Sequence, residues 1–112
     1  MKIIRKDEVK ISDTAHKVDV KKLISYEYAT IVQIELKPGE SLKMHITPVD
    51  VCFYGLEGMG KVQIGKEIET ITKDDLVFSP AKVPHKLFNE SDKIFQFLVI
   101  KTPSPKESTK IL

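Results

Sequence analysis

Short runs of Val, Ile, Phe, Tyr and Thr alternate along this chain with turn signals at close intervals. The turn signals are Lys37-Pro38-Gly39, Pro48, Glu57-Gly58-Met59-Gly60, Gly65-Lys66, Lys73-Asp74-Asp75, Pro80, Pro84 and Asn89-Glu90-Ser91-Asp92. Short strands separated by such residues predict an all-β sandwich or barrel. Helical periodicity is poor almost everywhere. One peripheral helical turn is expected over residues 19–23.

Several runs keep the two-residue period of a strand with one face inward. Over residues 41–47, Ser41, Lys43, His45 and Thr47 share one face, and Leu42, Met44 and Ile46 share the other. Over 61–64, Lys61 and Gln63 alternate with Val62 and Ile64. The run 95–100 is apolar on both faces except at Gln96, as for a strand covered on both sides. Residues 1–11 carry Ile3, Ile4, Val9 and Ile11, so this arm is suited to capping a barrel or joining a partner's sheet. Residues 102–112, with two prolines and several lysines and serines, read as a loosely docked or disordered tail. The expected organisation is one domain over residues 1–101, including the N-terminal strand arm, followed by a C-terminal tail over 102–112.

A chain of 112 residues has room for one core. An all-β domain of this size buries a modest share of its surface and gains from pairing with a second copy, so a homodimer is expected. The net charge is +2, from 18 basic and 16 acidic residues. The lysines are scattered, and Lys21 and Lys22 are the only adjacent ones. That is a solvated surface and not the clustered footprint of a nucleic-acid binder. The single Cys52 excludes an internal disulfide. No basic start precedes a long apolar run, and no segment approaches the roughly 18 apolar residues that cross a bilayer. The expectation is a cytoplasmic protein with no membrane contact.

Two segments, 38–58 and 74–89, carry the chemistry. Gly39 is followed after five residues by His45, and the first segment ends in Phe53-Tyr54-Gly55-Leu56-Glu57-Gly58. In the second, Asp74 is followed by Pro80, Lys82, His85 and Asn89. Over residues 36–100 the order and spacing of these elements resemble the small cupins. Their motifs are G-x5-H-x-H-x3-E-x6-G and G-x5-P-x-G-x2-H-x3-N. The resemblance implies an antiparallel cupin-type β-barrel, or jelly roll. It also implies that His45 and His85 face a common cavity, where the family's pair of motif histidines, a glutamate and a later histidine hold a divalent metal.

This chain departs from that pattern at the two middle ligands, which are Thr47 and Val51. A threonine hydroxyl is a poor ligand for a transition ion, and valine is none. His45 and His85 remain as an incomplete metal pair, able at most to hold Zn, Ni, Cu, Mn or Fe weakly. Asp50 and Cys52 flank Val51 and fall on the opposite face, with Cys52 read as a small buried hydrophobe. The expected ligand-binding set is His45, His85, Thr47, Val51, Phe53 and Lys43, with Leu87 and Leu76 or Phe78 extending an apolar wall. Lys43 would lean toward the cavity mouth. His16 is expected in a surface loop, Asn89 as a turn residue, and Gly58 and Gly60 as turn glycines.

The leading functional expectation is a small-molecule-binding protein with a degenerate metal site. One alternative is a metal-dependent isomerase, decarboxylase or dioxygenase acting on a small organic substrate. Another is a non-catalytic dimeric structural or partner-binding protein. No residue set assigns catalytic roles.

Overall fold

The computed structural model describes residues 1–14 and 16–112. Among them a 3₁₀ turn, Lys6–Glu8, precedes strands β1 (Ile11–Ser12), β2 (Asp19–Tyr26), β3 (Ala29–Leu36), β4 (His45–Ile46), β5 (Asp50–Glu57) and β6 (Met59–Ile64). They are followed by β7 (Glu67–Thr72), β8 (Leu76–Ser79), β9 (His85–Phe88), β10 (Phe95–Thr102) and β11 (Lys110–Ile111). One antiparallel sheet has the order β1-β2-β3-β10-β5-β8, and the other β11-β4-β9-β6-β7. Among the described residues, no helix is long and apolar enough to cross a membrane.

The core follows from period-two alternation on the larger sheet. Val51 and Phe53 of β5, Phe95, Phe97 and Val99 of β10, and Ile34 and Leu36 of β3 all point inward and are buried. Phe97 packs on Phe95 at 5.0 Å and on Phe53 at 6.3 Å between ring centroids. Each such ring removed from water contributes roughly 1.5–3 kcal/mol. From the second sheet, Val62, Ile71 and Leu87 close the cluster. The alternation read over 61–64 holds, with Val62 buried between two half-buried neighbours.

Residues 19–23 are strand and not helical turn, because pairing of β2 with β3 through Val20↔Ile34 and Lys22↔Val32 overrides the local preference. The segment 41–47 is not one continuous strand. Leu42, whose N–H donates to the Leu87 carbonyl, is buried together with His45 and Thr47, so the face changes between residues 42 and 45. Lys43 lies at that change and its side chain is exposed. On β8 the inward residues are Val77 and Ser79, opposite Phe53 and Val51, while Leu76 and Phe78 face outward. The apolar wall expected from Leu76 or Phe78 therefore comes from elsewhere.

The C-terminal segment returns to the barrel. Lys110 and Ile111 pair with Ile46 and His45, and the Leu112 N–H donates to the Met44 carbonyl at 2.9 Å. Ser104 Oγ bonds Thr30 Oγ1 at 2.6 Å and donates to the Tyr26 carbonyl. Composition concealed these anchors, since most of them are backbone bonds that leave no mark on residue type.

Left-handed backbone falls on four motif positions, Gly39, Gly58, Asp74 and Lys82. Gly58 has φ +77, and a Cβ there would run into the Ile94 carbonyl. Asp74 (φ 70) and Lys82 (φ 68) stand where the motif carries glycine. Gly60 differs from expectation, since its role is steric: a Cβ there would collide with the Phe95 ring. Lys82→Gly should therefore stabilise the protein by about 0.5–1 kcal/mol, the left-handed cost exceeding glycine's extra chain entropy. Urea unfolding measures this, and an unchanged or lower midpoint would contradict it.

Candidate functional site

Between the sheets lies a cavity of about 240 Å³. Val20, Val32, Ile34, Leu42, Phe53, Val99 and Ile111 make its apolar walls. Its polar groups are Thr14, His16, Lys22, His45, Thr47, His85, Lys101 and Thr109. A larger, more open cleft of about 800 Å³ runs along β7 and β8, but among the described residues no histidine or cysteine lines it.

His45 and His85 are direct cross-strand partners on β4 and β9, with ring centroids 4.5 Å apart. Both are buried. The His45 Nδ1–H donates to the Lys43 carbonyl at 2.7 Å, so its Nε2 carries the lone pair in the neutral ring. His85 is held on both sides, with Nδ1 2.7 Å from Ser79 Oγ and Nε2 3.2 Å from Thr47 Oγ1. The Phe53 ring meets His85 edge-on at 5.2 Å.

A third imidazole joins them. His16 lies half-buried beside His45, ring centroids 4.7 Å apart, and its Nδ1 accepts the Lys43 N–H at 3.1 Å. The neutral His16 ring therefore presents Nε2–H. One residue thus sets two tautomers, Lys43 giving its N–H to His16 and its carbonyl to His45. The surface-loop expectation for His16 fails because the arm before β2 folds over the cavity.

The electrostatics favour neutral rings. Burial, followed by the neighbouring His45 and Lys101 charges, lowers the His85 pKa to about 3. Burial and then His45 lower that of His16 to about 4. The His45 pKa is also lowered by burial, against the opposing effect of its bond to the Lys43 carbonyl. Burial and then Lys22 lower the pKa of the half-buried Lys101.

Of the residues expected to bind ligand, the fold brings His45, Thr47, Phe53 and His85 to the cavity. Val51 faces inward but packs in the apolar core and is not part of the lining. Lys43 contributes its backbone while its side chain is exposed outside the cavity. Leu87 is a core residue, and Asp50 and Cys52 face outward as expected, although Cys52, read as a buried hydrophobe, is only half-buried on the outer face of the sheet. Sequence reasoning missed His16, Lys22, Lys101, Ser79, Thr109 and Ile111. Lys101 had a signal, since it continues the inward series Phe97, Val99 on β10. His16 had none.

These residues do not fit the metal that the motif implies. Thr47 hydrogen-bonds His85, Val51 is part of the core, and both His85 nitrogens are engaged by hydroxyls. Among the described residues, no carboxylate lines the cavity. Among the described residues, no group of three or more His, Cys, Asp or Glu is arranged to hold a metal ion.

The two antiparallel sheets, the motif turns and the enclosed cavity with paired histidines define a small β-barrel of the double-stranded β-helix class. The sequence matches the cupin domain over residues 32–101, and the chain belongs to that family. Solved structures agree on the fold. TT1209 from Thermus thermophilus is 27% identical, with 94% of this chain and 100% of that one covered and a TM-score of 0.80. The polyketide cyclase RemF from Streptomyces resistomycificus is 21% identical over 100% of this chain and 85% of its own, TM-score 0.83. A predicted oxalate decarboxylase from Thermotoga maritima is 20% identical over 99% and 100%, TM-score 0.80. No curated protein matches the sequence.

Proposed function

We propose that this cupin is a binding protein for a small organic molecule held in the interior cavity, with His45 and His85 among its polar anchors. The observation that carries this reading is an interior space lined by polar atoms without protein partners. Among the described residues, no protein donor reaches His45 Nε2, and the buried Thr14 Oγ1 has no hydrogen-bond partner. A barrel whose interior served only packing would fill this space with side chains. The metal-dependent enzyme reading draws less support, because Thr47 and Val51 supply no second and third ligand. A purely structural role leaves the cavity without explanation. Cytoplasmic residence belongs to the same proposal, supported by the free thiol of Cys52, which suits a reducing compartment.

The test is a fragment screen followed by amide chemical-shift mapping. Binding that perturbs Thr47, Phe53, His85 and Val99 together supports the reading. Perturbations confined to the open cleft along β7 and β8, or none, would contradict it.

The homodimer expected from chain size also stands as a proposal, supported by the outer face of the larger sheet. Ile24, Ile31, Ile100, Cys52 and Phe78 are successive cross-strand partners, forming an apolar row across five strands. Strand spacing makes the row about 19 Å long. Leu98, Tyr54 and Leu76 form a second row beside it. Leu76 and Phe78 are 63% and 58% exposed. A contiguous apolar patch of this kind marks an association surface, and a second copy presents the same uncharged stripe for face-to-face packing about a two-fold axis. Sedimentation should show a dimer that Phe78→Glu converts to a folded monomer. A monomeric wild-type protein would contradict the assignment.

A further inference from the structure

We propose that the ligand of the interior cavity is a small hydroxy-carboxylate, its carboxylate held by Lys101 and Lys22 and its hydroxyl donating to His45 Nε2. The inference rests on the cavity being a binding site and names the chemistry of what it binds.

The charge inside the cavity is one-sided. Lys22 and Lys101 both line it, alongside three imidazoles, and among the described residues no aspartate or glutamate does. The chain pairs lysines with carboxylates elsewhere, as in Lys37–Asp19 and Lys61–Glu90. Among the described residues, neither Lys22 nor Lys101 has an ion pair or a side-chain hydrogen bond. Lys101 is half-buried on the inward face of β10, two residues after the buried Val99. An ammonium withdrawn from water without a counter-charge is costly, and a barrel under selection for packing alone would place an apolar residue there. A bound carboxylate supplies the missing charge.

The two outer histidines add direction. His16 presents Nε2–H, a donor suited to a carboxylate oxygen, because its Nδ1 accepts the Lys43 N–H. His45 presents a lone pair at Nε2, because its Nδ1–H is committed to the Lys43 carbonyl. A lone pair repels a carboxylate oxygen and accepts from a hydroxyl, so the two ligand groups are sorted to different sides. The remaining walls, including Val20, Val32, Phe53 and Ile111, are apolar. They exclude a fully polar anion such as inorganic phosphate and favour a hydrocarbon body. A cavity of about 240 Å³ limits that body to a single ring or a short chain.

The experiment is calorimetric titration of the full chain with hydroxybenzoate isomers, mandelate and 2-hydroxyisocaproate, with benzoate, phenol and inorganic phosphate as comparators. At least one hydroxy acid should bind about tenfold tighter than benzoate, phenol or phosphate, and weaken as salt rises. Lys101→Met should weaken that hydroxy acid about tenfold, leave phenol unchanged and raise the melting temperature of the free protein, since an unpaired half-buried charge is removed. Lys22→Met, at the exposed mouth, should weaken it without affecting the fold, and Lys101→Arg should retain binding. Equal affinity for neutral and anionic probes would overturn the carboxylate assignment while leaving the cavity a binding site. No binding of any hydroxy acid at millimolar concentration would overturn the assignment, and an empty fragment screen beside it would overturn the binding reading as well.

Discussion

Asn89→Ala should lower the unfolding free energy by about 3 kcal/mol, with an unchanged denaturant slope. The side chain is 1% exposed and fully engaged. Its Nδ2 donates to the carbonyls of Leu36 at 2.9 Å and Lys93 at 2.7 Å. Its Oδ1 accepts the Ser91 N–H at 2.9 Å and the Ser91 hydroxyl at 2.6 Å. The amide therefore joins the end of β3 to the turn between β9 and β10. Alanine leaves the buried Leu36 carbonyl without this donor, and each orphaned buried group costs about 1–3 kcal/mol. Asn89→Asp should be at least as damaging despite its nearly identical shape, because it replaces the donating amide nitrogen by a carboxylate oxygen that faces two carbonyls. Equilibrium urea unfolding checks both variants. A loss below about 1 kcal/mol for either would show that the turn is held by other contacts.

The second large effect is acid destabilisation through His85. Its pKa is 6.5 in an unfolded chain and about 3 in the fold. Above pH 6.5 the ring is neutral in both states, and its native environment carries no protonation penalty. Below that, the unfolded chain takes up a proton that the native state refuses, so stability falls with decreasing pH until about pH 3. The slope is about 1.4 kcal/mol per pH unit, on the order of 3 kcal/mol lost between pH 6.5 and about 4. His16, with its pKa lowered to about 4 but half-buried, adds a smaller loss in the same direction. His85→Gln keeps groups that can bond Ser79 and Thr47 but cannot titrate in this range. The difference between wild type and His85→Gln, measured from about pH 7 to about pH 4, isolates the effect. A pH-independent difference would contradict it.

The sequence carried the fold well because its signals are local and repeated. Alternation located the inward faces of β5 and β6, and the motif spacing placed His45 opposite His85, where the strands pair them directly; β10, read as covered on both sides, buries only the Phe95, Phe97 and Val99 face. Left-handed backbone at Asp74 and Lys82 explains why those turn positions carry glycine in the motif. Legibility ended where a strand breaks. Period two carried across residues 41–47 sends the Lys43 side chain inward, whereas the face changes between Leu42 and His45. On β8, hydrophobicity favoured Leu76 and Phe78 as cavity residues, yet these two face outward. An apolar outer sheet face reads like a core strand until its neighbours are known. His16 was unreadable for a different reason. Its approach to His45 depends on a loop whose contact is one hydrogen bond to the Lys43 backbone, 27 residues away.

The site that results keeps the first and last of the motif's four ligand positions, His45 and His85, in a cavity whose charged side chains are lysines. Thr47 has become a hydrogen-bond partner of His85 in place of a second ligand, and Val51 has joined the core in place of a carboxylate. The lysines at positions 22 and 101 then give the cavity a positive character without any metal ligand being added.

The most direct measurement is high-resolution electron density in the cavity of the protein as purified, recorded with anomalous data across the transition-metal edges. The account predicts continuous organic density between His45 and Lys101, with no anomalous peak beside the imidazoles. An anomalous peak about 2.1 Å from nitrogens of both His45 and His85 would contradict it.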